Sequence, residues 1–574
     1  MSTEGWDVSA PIPFDISPVR APGHSNQQIK GSYYDEGDLS YTCSACGAKL
    51  WKKETKRGES TKGLPGAFSQ CCLKCRIKLP EFTKEPHKLL MDLYTNKHPK
   101  NKHFIDNVRQ YNMVFAFTSM GGKVDNSVNN DKGRYSFRIR GHNCHRMGGL
   151  ISIWKFDKRD IVVDSKKEGL MRISELHPQY LALQFPLLFA YAEDGYRPDI
   201  YHQDIPGITT KKPKRVIMRE FFAYKIQERS LPTLLHLTRK LYQQLLVDAY
   251  TMVESERIYY IRMNKRIQRA DTFSNLATAT LTGDVVNSML GNRIKLPSSF
   301  TGSARYMIKN YRDAMALCRV YEYPDLFITF TCNSKWPEIT RALEDTGFNP
   351  EDRPAYQSRM FKIKLDRLMD DIKRNRIFRK FTTVPFNGSR YNTMTLYKNN
   401  YIPSSFKSED YPMHIYASSW MNKTNCQNQK ILMKYILAEI PDKDADPELY
   451  QLVSELMIHV PCGEKNNPKC PCTDIENKCT KHFLKPFADV TSVDTDGYSV
   501  YRRRDNGRKV SKQGHDLDNG SVVPYNPFLL NKYQAHINVE WCNQVGAIRY
   551  LFKYIHKGDD RVTAGVYEEE TDEI

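Results

Sequence analysis

The stretch Leu326-Phe327-Ile328-Thr329-Phe330-Thr331 decides the fold, because six residues that are all aromatic, aliphatic or β-branched predict a buried strand. A helix is predicted to follow over Met360–Phe378, where apolar residues recur at the helical interval. The apolar positions are Phe361, Leu365, Leu368 and Ile372, and the basic residues predicted to face away from the core are Lys362, Lys364, Arg367 and Lys373. A strand and a helix with matching apolar faces indicate a core of both element types.

The chain before this strand divides into regions of different composition. Residues 1–40 are aperiodic and rich in proline, serine and glycine, which predicts a disordered lead. Further on, the alternating runs Val114–Thr118 and Tyr135–Ile139 predict short strands. Residues 216–270 are predicted to be helical, and their basic end at Arg262–Arg269 either contacts phosphates or is a solvated face. The apolar stripe of this helical region consists of Leu234, Leu237, Leu241, Leu245, Ala249 and Met252.

Composition indicates a large protein with a polyanionic partner. The chain of 574 residues is long enough for about three to four domains. It contains neither an apolar run of about 18 residues nor a secretion signal, so we predict a soluble intracellular protein. Lysine and arginine number 85 against 66 acidic residues, a formal charge of +19, which favours nucleic acid over an anionic membrane as the partner. The candidate nucleic-acid-binding residues are Arg502, Arg503, Arg504, Lys362, Arg367 and Lys373.

Two Cys-x-x-Cys pairs near the start of the chain predict a structural zinc site. Cys43 and Cys46 form the first pair, and Cys72 and Cys75 form the second after a polar loop. Four thiolates at this spacing are typical of a closed tetrahedral site. Cys71 is the spare thiol, although it could replace Cys72. A redox dithiol is the alternative, and it is less favoured because no βαβ pattern surrounds the cysteines.

A second, looser group of metal-ligand types lies between residues 459 and 482. It runs from His459 and Cys462 through Cys470-Pro-Cys472 to Cys479-Thr-Lys-His482, in a segment rich in asparagine, proline and lysine, and its candidate ligands are His459, Cys462, Cys472 and Cys479. Such a segment has little apolar material to fold around, and a bound metal would supply the missing stability. The sequence therefore predicts a second zinc site here, with free thiols in a loop as the alternative.

A helix near the end of the chain carries two tyrosines on one side. Over Gly546–Gly558, the apolar stripe consists of Ile548, Leu551, Phe552 and Ile555. Tyr550 and Tyr554 lie one turn apart, with Lys553 and Lys557 beside them. Phenols next to ammonium groups suit attack on a phosphodiester, because positive charge favours the phenolate. Ordinary amphipathic packing is the alternative interpretation of this face.

Taken together, these stretches and several others resemble a known family. The resemblance rests on the zinc module with Ile77-Lys-Leu-Pro80, on Phe115–Gly122, Leu183–Phe189, Glu193-Asp-Gly195, Leu241–Tyr250, Leu296–Phe300, Phe330–Pro337, Ala438–Asp442, Met457–Gly463 and Val523–Pro527, and on the two-tyrosine helix. In this order they resemble the N-terminal, replication-initiator part of a plant-type Helitron transposase, the Helitron helicase-like domain, from about residue 41 to 565.

The resemblance implies an α+β fold: a zinc knuckle, a strand-rich N-terminal module, a helical connector and an antiparallel-sheet nuclease-like core with a tyrosine helix. The implied divisions are a lead at 1–40, the four-cysteine zinc module at 41–82, the strand-rich nucleic-acid-binding module at 83–200, the basic helical connector at 201–295, the core at 296–565 and an acidic tail at 566–574. The implied partner is DNA, with single strands preferred, and the implied location is the nucleus.

The resemblance also implies rolling-circle chemistry, in which a His-hydrophobic-His pair binds Mg²⁺ or Mn²⁺ and a tyrosine attacks the scissile phosphate. Tyr550 and Tyr554 match the nucleophile positions, with Lys553 and Lys557 as supporting charge. The implied activity is thus DNA strand nicking and joining by a metal-dependent tyrosine endonuclease. We expect this chain to lack the family's ATP-driven helicase half and to bind no nucleotide, since no G-x-x-x-x-G-K-[S/T] phosphate loop occurs in it.

The chain departs from the family at the metal motif. None of its 15 histidines forms a His-x-His pair. His414 is the remaining candidate ligand for the catalytic metal, with acids such as Glu409 and Asp410 as companions. We therefore expect impaired cleavage, because one imidazole holds Mg²⁺ or Mn²⁺ poorly. The alternative is a non-enzymatic, zinc-containing DNA-binding relic of a transposon.

Overall fold

The part of the chain that the computed structural model describes contains four clusters of buried hydrophobic residues. The described residues are 32–55, 66–79, 87–95, 97–117, 123–124, 139–140, 161–165, 169–204, 214–229, 233–263, 269–270, 294–298, 300, 303, 305–306, 309, 312, 326–344, 346–373, 382–383, 413–415, 419–420, 435–462, 472, 478–479, 481–495 and 498–541. Within them, no helix is long and apolar enough to cross a membrane.

Helices and short antiparallel strand pairs alternate along the chain, so the fold is α+β as expected. The α-helices are α1 (Lys52–Thr55), α2 (Ser69–Cys72), α3 (Lys88–Tyr94), α4 (Asn101–Asp106), α5 (Val108–Phe115), α6 (Tyr180–Gln184), α7 (Met218–Lys225), α8 (Leu234–Leu237), α9 (Lys240–Met263), α10 (Pro337–Leu343), α11 (Pro354–Lys373), α12 (Pro447–Leu456) and α13 (Pro527–Tyr533). Short 3₁₀ turns cover Pro350–Asp352 and Asn519–Ser521.

The strands form one three-stranded sheet and seven two-stranded ones among the described residues. They are β1 (Tyr41–Thr42), β2 (Lys49–Leu50), β3 (Lys123–Val124), β4 (Ile139–Arg140), β5 (Ile161–Ser165), β6 (Gly169–Ile173), β7 (Arg269–Ala270), β8 (Ile294–Lys295), β9 (Leu326–Phe330), β10 (Thr382–Thr383), β11 (Met413–Ile415), β12 (Ser419–Trp420), β13 (Ser492–Val493), β14 (Ser499–Val500), β15 (Val510–Lys512), β16 (His515–Leu517) and β17 (Ile537–Trp541).

The three-stranded sheet is built on the predicted strand. β9 lies in the middle, with β11 and β17 antiparallel on its two sides. Ile328 and Phe330 are fully buried, and the ring of Phe330 stacks on that of Phe361 in α11, with centroids 5.1 Å apart. The predictions of a buried strand and of an inward-facing stripe on the following helix are confirmed, although the helix begins earlier, at Pro354.

The helical connector also has the predicted stripe, since all six of its apolar residues are buried. The stripe is divided between two helices, because the helical conformation is interrupted between α8 and α9. Arg239, at the break, has a φ of 49°, a left-handed conformation that interrupts a right-handed helix.

The predicted strand at Val114–Thr118 is wrong, because Val114 and Phe115 end helix α5. Val108 and Asn112, one turn apart, are buried, and the Asn112 amide donates to the carbonyl of Gln184 at 2.9 Å. This packing overrides the strand preference of the aromatic and β-branched residues, which is weak without a partner strand. The predicted strand at Tyr135–Ile139 lies outside the described residues, apart from Ile139 in β4.

The predicted disordered lead is wrong for residues 32–40, which pack on α10 and α11. The Tyr33 hydroxyl donates to Glu338 at 2.5 Å. Glu36 pairs with Arg367, and Arg341 donates to the carboxylates of Asp35 and Asp38 at 2.8 and 2.5 Å. Three acidic residues in this short stretch complement basic helices, a long-range match that local composition does not reveal.

Candidate functional site

The first metal-ligand group is formed by four cysteines from two segments. Cys43 and Cys46 lie in the turn between β1 and β2, whereas Cys71 and Cys72 end α2. Their four sulfur atoms all lie within 4.8 Å of one another, and Cys43 Sγ is 3.7 Å from Cys72 Sγ. With zinc–sulfur bonds of about 2.3 Å, tetrahedral ligands would be about 3.8 Å apart. This group can therefore hold a metal ion such as zinc.

The fourth cysteine of this group differs from the one predicted. Cys71, the spare thiol of the prediction, is in the group, whereas Cys75 is not. Leu73, Lys74 and Cys75 have φ values of 48°, 58° and 62°, so three successive left-handed residues follow α2. As a result, the backbone N–H of Cys75 donates to Cys72 Sγ at 3.2 Å, a contact that stabilises a thiolate.

The four-cysteine module is anchored on the central core. Trp51, directly after β2, is fully buried among the residues that pack between α11 and the three-stranded sheet. Arg359 of α11 donates to Glu54 at 2.9 and 2.7 Å and lies over the Trp51 ring. A metal in this module would therefore stabilise the domain that contains the sheet.

The second group contains the four residues named from the sequence. His459 Nε2 lies 3.8 Å from Cys472 Sγ and 3.5 Å from Cys479 Sγ, and all four ligand atoms, including that of Cys462, lie within 4.8 Å of one another. Burial, with the nearby charges of Lys481 and Lys485, lowers the pKa of His459. A neutral imidazole is the form that binds a metal.

His414, the candidate for the catalytic metal, lies on the edge strand β11. It pairs with Thr329 of β9, and Thr329 pairs on its other side with Asn538 of β17. The Asn538 amide nitrogen donates to Glu540 at 2.8 Å. Its buried Oδ1 has no hydrogen-bond partner among the described residues. A histidine and an amide oxygen donor thus occupy one row across the sheet.

Asn538 and Glu540 were not singled out from the sequence. The signal that could have found them is the alternation of Ile537-Asn538-Val539-Glu540, which is typical of a strand with one buried face. Ile537 and Val539 are fully buried in the core, so the two polar residues belong to the opposite face.

The three consecutive arginines predicted to bind nucleic acid make intrachain contacts. Arg503 is buried, and its guanidinium donates to three backbone carbonyls. Burial lowers its pKa to about 10. Arg502 and Arg504 pair with Glu439 at 3.1 and 2.8 Å. Desolvation would raise the pKa of Glu439, but hydrogen bonds from Arg504 and the charge of Arg502 lower it.

The basic residues predicted on α11 are also engaged. Lys362 pairs with Asp366, and Arg367 pairs with Glu36. Lys364 is 1% exposed and pairs with the buried Glu338 at 2.9 Å, so the prediction that it faces away from the core is wrong. Its side chain reaches inward because Glu338 and the residue 33–36 segment together supply its partners. The side chain of Lys373 lies outside the described part.

The predicted tyrosine helix, with Tyr550, Lys553, Tyr554 and Lys557, lies outside the described residues. In the chain it follows β17, which ends at Trp541. In sequence, Tyr550 comes nine residues after the end of β17, and β17 and the strand of His414 pair with opposite sides of β9.

Comparison with known proteins identifies the central region. Residues 221–385 match the model of the Helitron helicase-like domain at the N-terminus, and this range includes α9, β9 and α11. This region is therefore similar to the Helitron helicase-like domain, which supports a relation to the N-terminal part of a Helitron transposase and implies interaction with DNA in general. No curated protein matches the chain.

Proposed function

We propose, from the premise that residues 221–385 are a Helitron helicase-like domain, that this protein derives from a rolling-circle transposase that nicks and joins DNA strands. We place its action in the nucleus, on single-stranded DNA in preference to duplex. The observation that carries the proposal is the sheet β11–β9–β17, because β9 lies inside the matched region and β17 leads toward Tyr550 and Tyr554.

A tyrosine attack on a phosphodiester needs compensation for the negative charge that builds on the phosphate. Mg²⁺ or Mn²⁺ would supply this compensation when bound. The donors that the sheet provides are His414, with the amide oxygen of Asn538 and the carboxylate of Glu540 on β17. This is one imidazole where the family uses two, so cleavage is impaired.

The consequence for the nucleophiles is electrostatic. Phenols with an ordinary pKa near 10 are mostly protonated at neutral pH and attack poorly. Loss of a single electrostatic donor in an active site already costs on the order of 10²–10³ in rate. Tyr550 and Tyr554 without a well-held cation are therefore inefficient nucleophiles.

The test is formation of a covalent protein–DNA adduct on single-stranded DNA with Mg²⁺ or Mn²⁺. We expect no more adduct from the protein than from a Tyr550→Phe/Tyr554→Phe control. Tyr416→His places a second histidine two residues after His414, with Ile415 between them, and it should raise the adduct yield in a tyrosine-dependent manner. A metal-dependent adduct that the unchanged protein forms and the double Phe variant does not form would show a working nuclease and refute the impairment.

A second candidate function is a DNA-binding relic held together by zinc. The grouping of Cys43, Cys46, Cys71 and Cys72 favours it, because a closed four-thiolate site contributes folding energy directly. This candidate predicts that DNA affinity is retained when Tyr550 and Tyr554 are both replaced by Phe. It also predicts that Tyr416→His produces no adduct, which separates it from the impaired nuclease.

A further inference from the structure

The second metal-ligand group takes its ligands from two neighbouring segments of the chain and lies beside a third. His459 and Cys462 follow α12, Cys472 and Cys479 come from the segment after it, and the 3₁₀ turn Asn519–Ser521 lies alongside. We propose that His459, Cys462, Cys472 and Cys479 bind a second zinc ion, and that this zinc positions the chain leading into β17.

The distances between the ligand atoms match tetrahedral zinc. Bonds of about 2.3 Å to sulfur and about 2.05 Å to nitrogen place a sulfur and a nitrogen ligand about 3.6 Å apart. His459 Nε2 is 3.5 Å from Cys479 Sγ and 3.8 Å from Cys472 Sγ. None of the three cysteines is in a disulfide bond, and three thiolates with one imidazole form a donor set typical of structural zinc sites.

Short contacts on both sides of the group tie it to the 3₁₀ turn. The backbone N–H of His459 donates to the backbone carbonyl of Ser521 at 2.9 Å, and the backbone N–H of Lys485 donates to the carbonyl of Gly520 at 2.9 Å. The Phe483 ring stacks on the His459 ring with centroids 4.2 Å apart. A Cβ at Gly520 would lie 2.9 Å from the Lys485 carbonyl oxygen. The backbone segments at Gly520 and Lys485 therefore approach so closely that only glycine fits without displacement.

Hydrogen bonds also connect the residues next to His459 and the 3₁₀ turn with strand β17 of the three-stranded sheet. Ile458 forms a β-bridge with Val522, and the Val523 N–H donates to Met457 at 2.8 Å. One residue further, the carbonyl of Pro524 accepts from the N–H of Val539 in β17 at 3.0 Å. A zinc ion on His459 would therefore act on the position of β17 through a continuous set of hydrogen bonds.

The experiment measures zinc in the full-length chain and amide exchange by mass spectrometry. We expect two zinc ions per chain, and one after His459→Ala. His459→Cys restores a fourth ligand, as a thiolate, and should keep two zinc ions, whereas a role of His459 in packing on Phe483 would not be rescued by cysteine. Cys332→Ser is the matched control, because Cys332 belongs to neither group, and it should keep two.

A chelator titration of the unchanged protein covers the case in which His459→Ala is insoluble. Release of the second zinc should raise exchange at the His459 and Lys485 amides at least about tenfold, as expected for local opening. Three results would overturn the proposal. One is that His459→Ala retains two zinc ions, and another is that the unchanged chain holds a single zinc ion, which Cys71→Ser removes. The third is unchanged amide exchange at His459 and Lys485 after complete chelation. None of these outcomes depends on DNA cleavage.

Discussion

Replacement of Lys364 by methionine should destabilise the central core strongly, because it leaves a buried carboxylate without its cation. Lys364 and Glu338 are 1% and 0% exposed and lie 2.9 Å apart. The Lys364 ammonium also donates to the Tyr33 hydroxyl and to the Tyr34 carbonyl, each at 3.1 Å. Removal of one partner of such a pair costs about 3–5 kcal/mol. Lys364→Met should lower the free energy of unfolding by that amount.

The double variant Lys364→Met/Glu338→Leu should recover at least about 2 kcal/mol, because it no longer buries an uncompensated charge. Lys362→Met is the matched control on the same helix. Lys362 pairs with Asp366 one turn away, and such a pair contributes only about 0.3–0.5 kcal/mol.

The assay is urea unfolding followed by hydrogen exchange of peptides from α11, which reports on this core alone in a multidomain chain. Equal destabilisation by Lys364→Met and Lys362→Met would refute the reasoning, since it would mean that the buried pair is no stronger than the surface pair.

Three further predictions concern protonation, metal and DNA. Burial lowers the pKa of His236 to about 4, so below about pH 6.5 the unfolded state binds a proton that the folded state does not. The free energy of unfolding of the 233–263 region should therefore fall by about 2 kcal/mol from pH 7 to pH 5. His236→Gln should remove this dependence and the exposed His177→Gln should not, as measured by urea unfolding at each pH. Cys71→Ser should lose one zinc ion per chain while Cys75→Ser keeps it, and the reverse result in metal analysis would restore the ligand set predicted from the sequence. DNA affinity should fall about a thousandfold between about 50 and about 200 mM salt if about six phosphates are contacted, and a binding constant independent of salt would contradict the charge argument.

Local patterns in the sequence were sufficient for the elements that pack with a regular period. The strand at Leu326–Phe330 follows from an uninterrupted run of apolar and β-branched residues, all of which are buried. The stripes of α9 and α11 follow from apolar spacing, because burial of one helix face repeats every turn. The grouping of His459, Cys462, Cys472 and Cys479 could likewise be predicted, since these ligand types lie within 21 residues of one another in the chain.

Features that depend on a distant partner could not be predicted in this way. The choice of Cys71 over Cys75 depends on three left-handed residues after α2. These are Leu73, Lys74 and Cys75, and none is a glycine that would have marked the turn. The order of residues 32–40 depends on Glu338 and Arg367, about 300 positions away. Helix α5 forms because Asn112 meets the carbonyl of Gln184.

The same dependence changes how the positive charge of the chain should be interpreted. The most conspicuous basic run, Arg502 to Arg504, is bound to Glu439 and to buried carbonyls, and the basic side of α11 is largely neutralised by Asp366, Glu36 and Glu338. Substitution of Lys364 or Arg367 would therefore reduce DNA binding mainly through loss of folding, because each removes the cation partner of an acid whose side chain is almost fully buried. Residues that bind phosphate must instead be sought among cations whose replacement lowers the salt dependence of binding without changing the free energy of unfolding.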